Sequence, residues 1–107
     1  MNDSYILLRI DPFIWRDESL NIPEKILLNF VFSFTFENKC CDVPSDWIAD
    51  RFGWTPQFVN EMIQMMALRG WLYVERKLDG TRLMSINIPG QTNPCLADVV
   101  SYTEINP

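Results

Sequence analysis

The order of hydrophobic and polar positions divides the chain into short elements separated by proline and glycine. Residues 5–10 are apolar and predict a short strand, which the Asp-Pro pair at 11–12 interrupts. The apolar residues 13–15 are too few to assign alone, and we expect them to fold back onto the core. A polar loop at 17–19 follows them.

A longer apolar segment starts near residues 21–23. Pro23 is well tolerated in a first helical turn, and Glu24 suits a helix N-terminus. Two periodicities compete in this segment. One helical face is formed by Ile26, Leu27, Phe30, Val31 and Phe34, whereas the alternation of Phe30, Phe32, Phe34 and Phe36 is typical of a strand. We predict a helix of about thirteen residues, because the segment begins with helix chemistry. Its wide apolar surface indicates either a buried central helix, which we favour, or a contact with a partner.

Two more helices are predicted in the stretch VPSDWIADRFGWTPQFVNEMIQMMALRGWLYVER, residues 43–76. Ser45 is the N-cap candidate of the first, and Gly53 ends it by taking the left-handed conformation. Its inward residues are Trp47, Ile48 and Phe52.

Thr55 and Pro56 begin the second of these helices as N-cap and first helical residue, and Gly70 ends it. The predicted buried stripe consists of Phe58, Val59, Met62, Ile63 and Met66. The opposite, polar face consists of Gln57, Asn60, Glu61 and Gln64.

A β-hairpin is predicted after Gly70. Its strands cover residues 71–77 and 82–88, with an Asp-Gly turn at 78–81. Residues 40–43 are a candidate for a further small strand. We predict one domain over residues 1–89, with an N-terminal strand or extension. Residues 90–107 form a C-terminal tail that is apolar enough to be a candidate interface.

Charge is unevenly distributed along this acidic chain, whose formal net charge is −5. Residues 1–50 carry four Lys/Arg against nine Asp/Glu, residues 51–89 carry five against three, and residues 90–107 carry none against two. A split of this size also arises by chance in soluble domains. An acidic chain is repelled by nucleic acid unless its charge is segregated, and only the middle segment is cationic.

Composition gives little support to catalysis. The chain has no histidine, the commonest general base and metal ligand, and no phosphate-binding glycine loop. A zinc site at Cys40, Cys41 and Cys95 would need a fourth ligand such as Asp42, and adjacent cysteines rarely chelate one ion. Asp46 and Asp50 fit a solvated helix face better than an acid–base pair. We expect no enzyme activity, no cofactor and no metal.

The same features predict where the protein resides. Three cysteines, two of them adjacent, are not a disulfide framework and fit a reducing compartment. The N-terminus has no basic region before a long apolar one, and no apolar run is long enough to span a membrane. We expect a cytoplasmic protein without membrane contact.

The sequence resembles the winged helix-turn-helix domains, most closely those of phage and plasmid replication proteins and small regulators. The matching features cover about residues 20–89 and include PEKILL, the Gly53 and Thr55 positions, Gly70-Trp71-Leu72 and the hairpin turn LDGTR. The resemblance implies an α+β fold with three helices and a C-terminal β-hairpin wing.

The resemblance also implies binding to double-stranded DNA, with a recognition helix in the major groove and a wing on phosphates. Glutamine and asparagine can bond N6 and N7 of adenine, and glutamate can accept from cytosine N4. The implied base-edge contacts are Thr55, Gln57, Asn60, Glu61 and Gln64. The implied phosphate contacts are Arg76, Lys77 and Arg82, with Arg51 and Arg69 behind them.

The chain departs from this family because its recognition helix has no cation before Arg69 and carries Glu61 near its centre. Few phosphate contacts mean weak non-specific affinity, which dimerisation can restore. The alternative function is a protein-interaction module on the same scaffold: a homodimer, a partner of a replication complex, or an inhibitor of a host protein. Its contacts would use the long helix that starts near residues 21–23 or the tail residues 91–105.

Overall fold

The computed structural model describes residues 8–37 and 39–87, which contain both helices and a two-stranded antiparallel sheet. The described elements follow the order α1 Pro12–Arg16, α2 Ile22–Phe36, α3 Ser45–Phe52, α4 Pro56–Leu68, β1 Leu72–Arg76 and β2 Arg82–Ile86. The α+β prediction is confirmed. Residues 1–7 and 88–107, with the predicted tail and part of the predicted first strand, lie outside the described residues.

Helix α2 is the centre of the fold. Asn21 caps it with a reciprocal capping box, in which the Asn21 side chain accepts from the Glu24 amide and the Glu24 side chain accepts from the Asn21 amide. Five consecutive residues, 27–31, are buried, so the helix is surrounded on more than one side. This confirms the helical interpretation over the alternating strand pattern and the prediction of a buried central helix.

Helix α1 is not predicted by the sequence pattern. The described residues therefore contain four helices, whereas three were expected. The Asp11 side chain accepts a hydrogen bond of 3.0 Å from the Phe13 amide, and Pro12 stands at the first helical position. Ile14 is buried, whereas Phe13 remains 85% exposed. We expected residues 13–15 to fold back onto the core, and only Ile14 of the three is buried. Residues 8–10 form no strand, which corrects the described part of that prediction.

Helices α3 and α4 are joined by a short connection at Gly53, whose φ of 75° confirms the predicted left-handed helix end. Thr55 is the N-cap of α4, as predicted, and its side chain accepts from the Phe58 amide. The Ser45 prediction is wrong: Pro44 occupies the N-cap position of α3 without a side-chain bond. Ser45 is the first helical residue, and its hydroxyl bonds to α4 and β2 instead.

The hairpin pairs β1 and β2 in antiparallel register, with Leu72 opposite Ile86 and Arg76 opposite Arg82. Gly80 has a φ of 90° in the turn, which glycine adopts without strain. The predicted strand at 40–43 is reduced to one bridge, Cys41 with Met84, formed by backbone hydrogen bonds of 2.8 and 2.9 Å. Strand β2 therefore lies between β1 and Cys41.

The core lies between α2, the inner stripe of α4 and β2. Val59, Met62, Ile63 and Met66 are buried as predicted, but Phe58 is 38% exposed. The aromatic side chains of α3 pack around Phe30, whose ring centroid lies 6.0 Å from Trp47 and 5.8 Å from Phe52.

Candidate functional site

The outer face of α4 is a polar stripe. Gln57, Glu61 and Gln64 are exposed and follow one another at spacings of four and three residues, which places them on one side of the helix. The Gln57 amide nitrogen donates to a Glu61 carboxylate oxygen over 3.0 Å. Asn60 is exposed on the edge of this stripe.

Thr55, the remaining base-edge candidate, lies at the start of the same helix. Its hydroxyl oxygen accepts from the Phe58 amide over 3.1 Å, so it serves first as the N-cap of α4. The side chain is exposed, and the hydroxyl proton can still be donated to a ligand.

A chain of hydrogen bonds joins the edge of α4 to the hairpin. Arg82 Nη1 donates to the Ser45 hydroxyl oxygen over 2.7 Å, and the same hydroxyl donates to Asn60 Oδ1. Arg82 Nη2 also donates to the Val43 carbonyl over 2.8 Å. These bonds connect β2, the start of α3 and the second turn of α4. The start of the hairpin's second strand therefore lies beside the polar face of α4.

Arg82 is a partly buried cation. Burial lowers the pKa of its guanidinium, and the charge of Arg76 lowers it further, while the Cys41 thiol acts in the opposite direction. Arg82 Nε is buried, and it has no hydrogen-bond partner among residues 8–37 and 39–87. Arg82 thus serves mainly as a structural link, which the sequence pattern alone did not indicate.

Arg76 faces Arg82 across the ladder, so both side chains leave the same face of the hairpin. Arg76 is exposed, and its Nη1 donates to the Gly80 carbonyl over 2.9 Å. Lys77 follows it at the end of β1 and is half-buried. The structure therefore brings two of the predicted phosphate-binding cations, Arg76 and Arg82, to the hairpin end that adjoins Asn60.

The other two predicted cations are engaged elsewhere. Arg69 donates to the Ser19 hydroxyl over 3.0 Å and lies 3.7 Å from a Glu24 carboxylate oxygen. The Arg51 guanidinium lies over the Trp47 ring, 4.8 Å from its centroid. Both side chains bind to the folded domain itself, which limits their reach towards a ligand.

Sequence reasoning missed two features of this surface. The sequence predicts Ser45 as a helix cap, and no local pattern reveals its contacts with Asn60 and Arg82. Leu68 is 83% exposed and continues the outer stripe of α4, eleven residues after Gln57. The helical spacing from Gln57 would have identified Leu68 as a surface residue.

No three His, Cys, Asp or Glu side chains are grouped as a metal site in the part of the chain that the structure describes. None of the helices in residues 8–37 and 39–87 is long and apolar enough to cross a membrane. Comparison with protein-family models, with curated proteins and with solved structures gave no match to this chain.

Proposed function

We propose that the chain is a winged helix-turn-helix protein that binds double-stranded DNA sequence-specifically, in replication initiation or transcriptional regulation of a phage or mobile element. In this proposal α3 and α4 form the helix-turn-helix, α4 is the recognition helix and the β1–β2 hairpin is the wing. The protein acts without catalysis and without a cofactor.

The observation that carries this proposal is the chain of hydrogen bonds from Arg82 through Ser45 to Asn60. It holds the wing beside the polar face of α4. A recognition helix and a wing must share one side of the domain to contact the same duplex. Arg76 stands opposite Arg82 in the ladder and supplies an exposed cation on that side.

The polar face of α4 suits base edges better than phosphates. Gln64 is exposed, and within the described residues it makes no hydrogen bond to another side chain. Its carboxamide can bond a base through both its oxygen and its nitrogen. Glu61 repels phosphates but can accept from cytosine N4. Affinity must then come from few cations, so binding is expected to be measurable mainly at low salt.

Selection from a pool of randomised duplexes at low salt tests the proposal. We expect enrichment of a short common site. Fluorescence anisotropy on that site is expected to give a shallow salt dependence, because each phosphate contact contributes a slope of about −0.9 in log K against log salt. A selection that enriches no common site would contradict sequence-specific binding.

The wing contact is tested by Arg76→Ala, with Arg16→Ala as the matched control. Both residues are exposed arginines, but Arg16 lies on α1, which packs against α2. We expect Arg76→Ala to weaken binding to all duplexes and to reduce the salt slope by about one unit. Arg16→Ala should leave the slope unchanged. Equal effects of the two substitutions would contradict a specific wing contact and attribute the loss of affinity to net charge alone.

A second candidate function is a protein-interaction module, favoured by apolar side chains on the surface. Ile10 and Phe36 are more than half exposed and line a groove of about 420 Å³ between the start of the described chain and α2. Phe13 and Leu68 are exposed at 85% and 83%. Contiguous apolar surface is what marks contact with another protein, and the groove lined by Ile10 and Phe36 is such a surface.

Sedimentation velocity of the full chain tests this second function. Self-association that Phe13→Ser or Leu68→Ser abolishes would identify the contact face and support a dimer. A chain ending at Gly90 tests the tail, which lies outside the described residues. If the full chain and the chain ending at Gly90 are both monomeric at all concentrations, self-association is excluded. The interaction module would then have to bind a different protein.

A further inference from the structure

We infer that Asn60 contacts DNA as a hydrogen-bond donor, and that Ser45 thereby sets which base the recognition helix prefers. This inference rests on the proposed function and deepens it. It follows from how the Asn60 carboxamide is held, rather than from the residue type.

The carboxamide of Asn60 is held by its oxygen. Arg82 Nη1 donates to the Ser45 hydroxyl oxygen over 2.7 Å, and this hydroxyl in turn donates a hydrogen bond to Asn60 Oδ1. Because the guanidinium occupies a lone pair of the hydroxyl, the hydroxyl is oriented to act as the donor towards Asn60. Oδ1 is thus directed at α3.

The nitrogen of the same carboxamide remains available. Within the described part of the chain, Asn60 Nδ2 donates no hydrogen bond, and the side chain is exposed. An unconstrained asparagine recognises adenine by accepting from N6 through Oδ1 and donating to N7 through Nδ2. That two-bond arrangement requires both atoms to face the base, and here the oxygen is held by the protein.

A donor alone selects a different set of bases. Guanine presents two acceptors, O6 and N7, in the major groove, and thymine presents O4, whereas adenine presents one acceptor, N7, beside an amino group that repels a donor, and cytosine presents only an amino group. We therefore assign Asn60 to a guanine or thymine position. The bond to Ser45 is the specificity determinant, and Ser45 acts through Asn60 as a positioning residue.

The test compares the sites selected from randomised duplexes by the unaltered chain, by Ser45→Ala and by Ser45→Thr. The unaltered chain should enrich guanine or thymine at one position that Asn60→Ala leaves undetermined. Ser45→Ala releases Oδ1 and should raise the preference for adenine at that same position about fivefold or more. Ser45→Thr keeps the hydroxyl and should keep the original base.

Ser19→Ala is the matched control, because Ser19 also accepts from an arginine, Arg69, over 3.0 Å but lies in the loop before α2. It should leave the selected site unchanged. Thermal unfolding of each variant separates loss of fold from altered preference.

The outcomes distinguish the two proposals. If the unaltered chain enriches no site, the proposed function fails and this inference fails with it. If the unaltered chain enriches a site and Ser45→Ala selects the same base at the Asn60 position, only this inference is overturned. Adenine at that position in the unaltered chain would also overturn it.

Discussion

Helices α2 and α4 begin in the same way but have different roles. Both have a polar N-cap followed by proline in the first turn, and they contain 15 and 13 residues. Helix α2 buries five consecutive residues, whereas α4 buries four residues on one stripe. Similar local signals therefore produce a central support in one case and a surface in the other. The surroundings of each helix, and not its local capping signals, decide which helix keeps an exposed face.

The asparagines of the two helices show the same difference. Asn29 in α2 is fully buried; its Oδ1 accepts from the Asp11 amide over 2.7 Å and its Nδ2 donates to the Lys25 carbonyl over 2.8 Å. Both atoms of its carboxamide are used within the fold. The exposed Asn60 in α4 uses only its Oδ1, and its Nδ2 donates no hydrogen bond within the described residues.

The largest expected difference comes from the same substitution in the two helices, Leu28→Ala and Leu68→Ala. Leu28 is fully buried, so its truncation should lower the free energy of unfolding by about 2–5 kcal/mol. Leu68 is exposed, and its truncation should change the free energy of unfolding by less than about 0.5 kcal/mol. Urea unfolding measures both, and equal losses would contradict the assignment of α4 as the surface helix.

The asparagine pair should give the next largest difference. Asn29→Ala leaves the Asp11 amide without its partner and should cost about 1–3 kcal/mol of unfolding free energy. Asn60→Ala removes an exposed bond and should cost about 0.5 kcal/mol. Both substitutions replace a helical asparagine by alanine and gain the same helix propensity. The difference between their urea midpoints therefore measures the contribution of the buried hydrogen bonds of Asn29. A larger loss for Asn60 would show that its bond to Ser45 is structural first.

Removal of the N-cap should destabilise α2 and α4 by similar amounts, so the two helices should differ less here than in the first two comparisons. Thr55→Ala and Asn21→Ala each remove one side-chain bond to a backbone amide and should each cost about 1 kcal/mol of unfolding free energy. Asn21 belongs to a reciprocal capping box, so its loss should be at the upper end. Thermal unfolding of the two variants measures this, and a cap effect in only one helix would break the parallel.

The smallest effect should come from two carboxylates outside the helices, Asp17 in the loop before α2 and Asp79 in the hairpin turn. The Ser19 hydroxyl lowers the pKa of Asp17 from 3.8, and the Thr81 amide does the same for Asp79. A lowered folded pKa means that the stabilisation is present above 3.8 and is lost as the pH falls through the lowered value. Urea midpoints of Asp17→Asn and Asp79→Asn between neutral and acid pH should show a slightly flatter dependence than the unaltered chain. If the pH dependence of the urea midpoint is unchanged in both variants, the hydrogen bonds of Asp17 and Asp79 do not contribute to acid sensitivity.

Most of the helix and strand boundaries were predictable, whereas the arrangement of the candidate site was not. The prolines and caps at the starts of α2 and α4, the glycines that follow α3 and α4, and the Asp-Gly turn act within a few residues. Helix α1 carried the same signal at Asp11 and Pro12, but a five-residue helix has too little periodicity to identify. The polar face of α4 followed from the helical repeat alone.

Local sequence patterns are sufficient to predict where the chain turns, which stripe of α4 is buried and which side chains this helix exposes, because these features depend on neighbours three or four residues away. Only the tertiary structure decided that Ser45 bonds Asn60 and Arg82, 15 and 37 residues distant, instead of capping α3. It also decided that Arg69 is used by the loop before α2. Such bonds depend on how helices and strands pack, and sequence spacing does not specify the direction of a long polar side chain.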